Sequence, residues 1–262
     1  MLREAKLPNI HVISQERHGD KYWKPTGDYN FSSEEVLCPL VAHELPEICL
    51  SLPIAFTKTD GKYLPVAVLG LKQGQNLVLG PVGNWKAPYV PRIYRSHPFS
   101  LAPSDDQLFL CIDEDFVLNE GTETSQPFYK DENSEQPTDS ILQIMEFLKR
   151  NLDNAQQTEI ISQLLNDIEL IEPWPLQVVI DEETVTIQGL YRIDETALNS
   201  LSGEDLLELK NKRALVVIYC QLLSMTHMKS LVQLAQGTKQ HVVEELNFDS
   251  LDEGGTLNFE NL

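Results

Sequence analysis

Two apolar, β-prone runs separated by an Asp-Gly turn constrain this chain more than any other feature. PIAFT begins at Pro53 and LPVAVLGL at Leu64, with Asp60-Gly61 between them. Both residues of such a turn tolerate positive φ, and its twist suits neighbouring antiparallel strands. The runs are therefore expected to pair as a hairpin. NLVLG, after a glycine-containing turn, is expected to extend it into a meander, and LFLCI at residues 108–112 reads as a fourth strand. Near-continuous hydrophobicity along these runs points to burial on both faces.

Charge singles out the loop that follows. The chain carries 20 Lys and Arg against 40 Asp and Glu, a net charge of −20. Residues 61–104 hold no acid, while Lys62, Lys72, Lys86, Arg92 and Arg95 make the stretch +5; taking +5 from −20 leaves −25 on the remainder. Such an acid excess repels phosphate backbones and anionic membrane surfaces, so neither nucleic acid nor membrane is an expected partner. The N-terminus shows no signal-peptide core and no run reaches transmembrane length without interruption, which gives the expectation of a cytoplasmic protein. Cys38, Cys49, Cys111 and Cys220 are far apart without a CxxC pair and are expected to be buried free thiols.

The remainder sets the fold class. Polar and aromatic residues fill the first thirty positions, suggesting a loop or irregular edge strand. A helix is expected from Ser32 or Ser33 toward Leu50, broken or kinked by Pro39 and Pro46. Residues 113–137 read as an acidic surface excursion. Thr138 is expected to cap a helix with Ile141, Leu142, Met145, Leu148 and Leu152 as its stripe, and Thr158 to start a second one. LQVVI and TVTIQGLYRI form another hairpin, and Ser202 with Asp205 makes a capping box. The run 213–236, apolar around most of its circumference, is expected to be a buried central helix. The expectation is one α+β domain over residues 1–240, with antiparallel sheet in each half packed around that helix. Residues 241–262 form an acidic tail whose spaced Leu and Phe anchors suit docking on a protein partner or on the basic loop.

Most catalytic signatures are missing. His43-Glu44 lacks the second histidine one turn on that a zinc site requires, and no metal or cofactor site is expected. No GxSxG elbow, Walker loop or GxGxxG is present. The loop from Gly83 to Phe99 remains. Trp85, Tyr89 and Tyr94 offer flat amphipathic surfaces, Lys86, Arg92 and Arg95 offer donors, and Pro81, Pro88, Pro91 and Pro98 restrict the backbone. With His97, and with Glu44 in support, these residues are the expected site for an anionic small molecule or peptide end. The competing expectation is that the arginines pair with the protein's own acids while the aromatics pack beneath the loop.

Around this loop the chain resembles the SapC-like family, soluble bacterial proteins named after a gene in a surface-layer cluster and distinct from the peptide-transporter permease sharing the name. The matching residues are Pro39-Leu40 with Glu44, Pro53-Ile54 with Phe56, PVAVLGL with Gly74 and Asn76-Leu77, then Gly83, Trp85, Tyr89-Val90-Pro91, Arg95 and Pro98-Phe99. LCID, GLYRID and Ala214 to Tyr219 continue the match. Where the resemblance leads one to expect adjacent arginines, Arg95 is followed by Ser96, so a bidentate clamp would need Arg92. The resemblance implies no established reaction. It implies an accessory role tied to surface-layer or nutrient-uptake gene clusters. Two functions are carried forward: an accessory binding protein, and an enzyme of unknown reaction with Glu44, Tyr89, Arg95 and His97 in one pocket. A closed pocket in which a perturbed histidine or carboxylic acid faces Arg95 would favour the enzyme, and an open groove without such a group would favour binding.

Overall fold

The computed structural model describes residues 9–104, 107–131, 135–180 and 183–237. β1 (Ile10–Val12), a helical turn α1 (Gln15–His18) and β2 (Tyr22–Trp23) are followed by β3 (Leu37–Pro39), α2 (Leu45–Ile48), β4 (Ile54–Thr59) and β5 (Lys62–Val68). α3 (Arg92–Arg95) leads into β6 (Phe99–Ser104), β7 (Gln107–Asp113), β8 (Val117–Leu118) and β9 (Gln126–Pro127). α4 (Asp139–Asp167), β10 (Ile171–Pro173), β11 (Leu176–Ile180), β12 (Glu183–Ile187) and β13 (Tyr191–Ile193) come next. The described chain closes with α5 (Glu195–Asn199), α6 (Gly203–Asn211), α7 (Ala214–Ser224) and α8 (Met228–Ala235). The class is α+β with antiparallel sheets, as expected.

The Asp-Gly turn does what its residues dictate. Asp60 and Gly61 both take positive φ, 50° and 80°, and β4 pairs with β5 from Thr59↔Lys62 to Ile54↔Ala67. This hairpin is the centre of a five-stranded sheet of order β10-β13-β4-β5-β3. NLVLG is not its third strand, contrary to expectation: Leu77 N–H bonds Leu69 O and Lys86 N–H bonds Val78 O, committing that backbone to loop contacts. β3 covers the free side of β5 instead, within the stretch expected to be helical. Its Pro39 sits on the sheet edge, where a missing N–H is tolerated, and only 3-10 turns and the short α2 remain of the expected helix.

A second sheet, β1-β7-β6, and the small sheet β8-β2-β9 enclose another core. Phe128 and Tyr129 are buried in it, so the stretch after Asp113 is not merely a surface excursion. α4 joins the two cores: Ile141 and Leu148 face the second, Ile161 and Leu165 the first. It is one helix of 29 residues rather than two. Thr158 starts nothing; buried mid-helix, its Oγ1 donates to Asn154 O (2.6 Å) and accepts from the Ala42 N–H (2.7 Å). Leu142 and Leu152, expected on the buried stripe, are exposed.

The run 213–236 is also corrected. A 3-10 turn at Met225–His227 divides it into α7 and α8, and burial is one-sided. Val217 and Ile218 enter the core, whereas Val216, Tyr219 and Leu223 are exposed. The Ser202 cap is present, its Oγ accepting from Asp205 N–H at 3.1 Å. All four cysteines are free thiols, buried except for half-buried Cys49. The tail at 241–262 and its docking lie outside the described residues.

Candidate functional site

The basic loop is held from below by a buried acid. Glu44 is 2% exposed, and its Oε1 accepts from the Val41 N–H (3.0 Å) while its Oε2 accepts from the Arg92 N–H (2.8 Å). One carboxylate thus ties α2's approach to the first residue of α3. Burial pushes the Glu44 carboxyl above its ordinary value of 4.5, against the pull of those two amides and of Arg95. A raised value means the folded chain holds this proton more tightly than the unfolded one. The contribution is therefore fully present below about 4.5 and is lost as pH rises through the folded value. In Glu44→Gln that slope disappears and one backbone N–H faces an amide NH₂, at a cost of about 1–3 kcal/mol. Urea unfolding across pH 4.5 to 8 should show the stability gap between wild type and Glu44→Gln narrowing as pH rises; a constant gap would contradict it.

The aromatics pack as the competing expectation held. Trp85 Nε1–H donates to Tyr89 O at 2.8 Å and its ring meets Tyr29 and Tyr94 edge-on. Tyr94 is buried and donates its hydroxyl to Glu35; burial, with Cys38 next to it, drives its pKa upward. Lys86 points away, its Nζ near Leu77 O beside a separate 190 Å³ cavity against α8. Arg92 is also engaged, with Nε on Asn151 Oδ1 (2.6 Å) and its guanidinium 4.9 Å from the Phe147 ring. It does not form a two-arginine clamp by any contact the structure shows.

Arg95 is different. Its Nη2 donates to the Tyr89 hydroxyl at 2.6 Å, and its guanidinium lies 4.8 Å from the Tyr89 ring and 5.8 Å from Phe147. It makes no ion pair among the described residues, in a chain with twice as many acids as bases. Tyr89 has its own pKa raised by burial and by Glu44, so it stays a neutral hydroxyl. Arg95 borders a cleft of about 450 Å³ between α3, the first turns of α4 and the β2–β9 pair.

A groove on the far side of His97 is larger, about 590 Å³, so size does not select the Arg95 cleft. Unmatched polarity does. Six buried side-chain polar atoms lack a hydrogen-bond partner among the described residues, and three of them, Trp23 Nε1, His97 Nδ1 and Gln126 Oε1, belong to residues lining this cleft; His97 borders the larger groove as well, whereas Trp23 and Gln126 do not. Buried polar atoms are nearly always satisfied, so their concentration at a cavity marks a place where a partner is expected. His97 stacks on Phe31 (3.9 Å, 11°) and meets Phe116 edge-on at 4.7 Å. Burial lowers its pKa below 6.5 against the opposing pull of Asp113 and Asp28, leaving a neutral imidazole at physiological pH. No carboxylate lines the cleft among the described residues.

Of the eight expected residues, Tyr94, Arg95 and His97 therefore line the cleft, while Glu44, Trp85, Tyr89 and Arg92 support it and Lys86 lies elsewhere. Sequence reasoning missed Trp23, Gln126, Ser140 and Phe147. A signal existed for two: Ser140, Ile144 and Phe147 form a helical stripe beside Ile141 and Leu148.

The family model described as SapC matches residues 13–231. No curated protein and no solved structure matches the chain.

Proposed function

The chain belongs to the SapC family, and from that premise and the geometry of the cleft we propose that it is a cytoplasmic accessory protein binding a small anionic molecule or the end of a peptide at Arg95. The observation that carries this reading is a cation that acts on buried Glu44 at a distance but makes no ion pair among the described residues, in an acid-rich chain, at a cleft where three buried polar atoms also lack partners among those residues. A carboxylate or phosphate there would receive charge-assisted hydrogen bonds from the guanidinium over an aromatic floor. The accessory role in surface-layer or nutrient-uptake systems comes from the family resemblance.

An enzyme is the second reading, favoured by His97: a neutral imidazole sharing a cleft with a cation is how a general base is often arranged. Binding is preferred because Glu44 and Tyr89, the other expected catalytic groups, are engaged by backbone amides and by Arg95. A thermal-shift screen of the wild-type protein against nucleotides, 2-oxo acids, amino acids and short peptides tests the proposal. At least one anionic compound should raise the melting temperature by several degrees and be recovered unchanged. Recovery of a converted compound would favour the enzyme, and a screen in which no anion shifts the transition would overturn both.

A further inference from the structure

The cleft has two polar ends. Ser140, Ile144 and Phe147 line it from one face of α4, and at 1.5 Å of rise per residue the seven steps between Ser140 and Phe147 span roughly 10 Å. Phe147 marks the Arg95 end, since the guanidinium lies 5.8 Å from its ring. Ser140 marks the other, in the first turn of the helix.

At that second end the helix begins without a side-chain cap. Thr138 occupies the cap position, but its hydroxyl donates to Pro127 O at 3.1 Å and bonds no first-turn amide. The first N–H groups of a long helix are thus left as donors, with the positive end of its dipole behind them. The same contact brings β9 to the helix start. Gln126 of β9 is the register partner of Trp23 in β2, so the two unmatched atoms, an indole N–H and an amide oxygen, come from neighbouring residues. Trp23 is 6% exposed, which makes its missing acceptor costly to leave unmatched. Between the ends the wall carries Ile144 and Phe99, with the polar Gln143 beside them.

A simple anion satisfies Arg95 and leaves the second end untouched. That end calls for a group offering both a carbonyl oxygen and an N–H, which is a peptide unit. An extended chain advances about 3.3 Å per residue, so roughly 10 Å is three residues. Resting on the reading of Arg95 as an anion site, we propose that the cleft takes the C-terminal end of an extended peptide. Its carboxylate lies on Arg95, and a peptide group about three residues upstream lies between Trp23 Nε1, the first turn of α4 and Gln126 Oε1.

The test uses equilibrium dialysis of the full chain, read by mass spectrometry. The probes are acetylated tetrapeptides of randomised sequence with free C-termini, the same mixture amidated at the C-terminus, and acetylated single amino acids. A subset of free-acid tetrapeptides should be retained at least tenfold better than both their amides and the matching acetylated amino acids. Trp23→Phe and Gln126→Ala should each lower that retention about 5- to 50-fold, a larger factor than any loss in retention of the acetylated amino acids. Equal retention of tetrapeptides and acetylated amino acids would overturn the peptide inference while leaving Arg95 as an anion site. Retention of no peptide would overturn the inference too, with the anion site then judged by the metabolite screen. If the two variants lower the melting temperature but not retention, Trp23 and Gln126 serve each other and the inference also fails.

Discussion

Gln221→Leu is expected to remove about 2–6 kcal/mol of stability. Gln221 is fully buried, its Nε2 donating to Ile54 O (3.1 Å) and its Oε1 accepting from Ile193 N–H (3.0 Å). β13 and β4 share one register pair, Tyr191↔Phe56, so this side-chain amide completes a ladder that the two strands leave short. Ser224 adds to it, accepting from Ile54 N–H at 2.9 Å and donating to Gln221 O at 2.6 Å. Leucine would leave one buried donor and one buried acceptor unmatched, each worth about 1–3 kcal/mol. Ser224→Ala should cost about 1–3 kcal/mol by the same reasoning, since it leaves the Ile54 N–H unmatched. Leu223→Gln, on the exposed side of α7, should stay within about 0.5 kcal/mol. Urea unfolding followed by circular dichroism compares the three. A Gln221→Leu loss below about 1 kcal/mol would mean the sheet closes without its amide.

Arg95→Ala carries the largest expected effect on binding. A charge-assisted hydrogen bond contributes about 1.5–3 kcal/mol, so affinity for the anion found by screening should fall on the order of 10- to 150-fold. Stability should barely move, because Arg95 is exposed and its hydrogen bond goes to one hydroxyl. Arg95→Lys should recover part of the affinity, since it restores charge without the planar fork. Glu44→Leu separates anchoring from positioning. It should reduce stability and affinity together, because it releases the Val41 and Arg92 amides that set α3. Calorimetric titration beside a melting curve distinguishes the pair. An Arg95→Ala protein that melts much earlier but binds normally would make the arginine structural.

How much of this was legible follows from the range of the interactions involved. The β4–β5 hairpin, β7 and the Ser202 cap are written in neighbouring residues, and the sequence reading placed them. Thr158 is ambiguous locally, since a threonine before an apolar stripe suits a helix start; its role as acceptor for Ala42, 116 residues away, has no local trace. NLVLG has strand-like residues but lost its backbone to loop partners. The apolar run after Arg213 could not reveal that one of its faces stays uncovered by the described chain. At the site, the absence of acid from residues 61–104 singled out the loop that carries Arg95 and His97, both of which border the cleft. Trp23 and Gln126 did not, because β2 and β9 are two residues long and owe their place to pairing across the fold. The orphaned atoms that distinguish this cleft from its larger neighbour are properties of packing alone.

The most direct test watches the Trp23 indole. The chain holds three tryptophans, so a ¹⁵N-labelled sample gives three indole resonances, with Trp23 assigned by Trp23→Phe. Trp85 is already bonded to Tyr89 O, and Trp174 is buried in the other core. Titrating a free-acid tetrapeptide that the dialysis retains should move the Trp23 resonance, leave Trp174 in place, and move nothing in Arg95→Ala at the same concentration. A ligand that binds tightly while the Trp23 resonance stays fixed would place the site elsewhere and contradict the account.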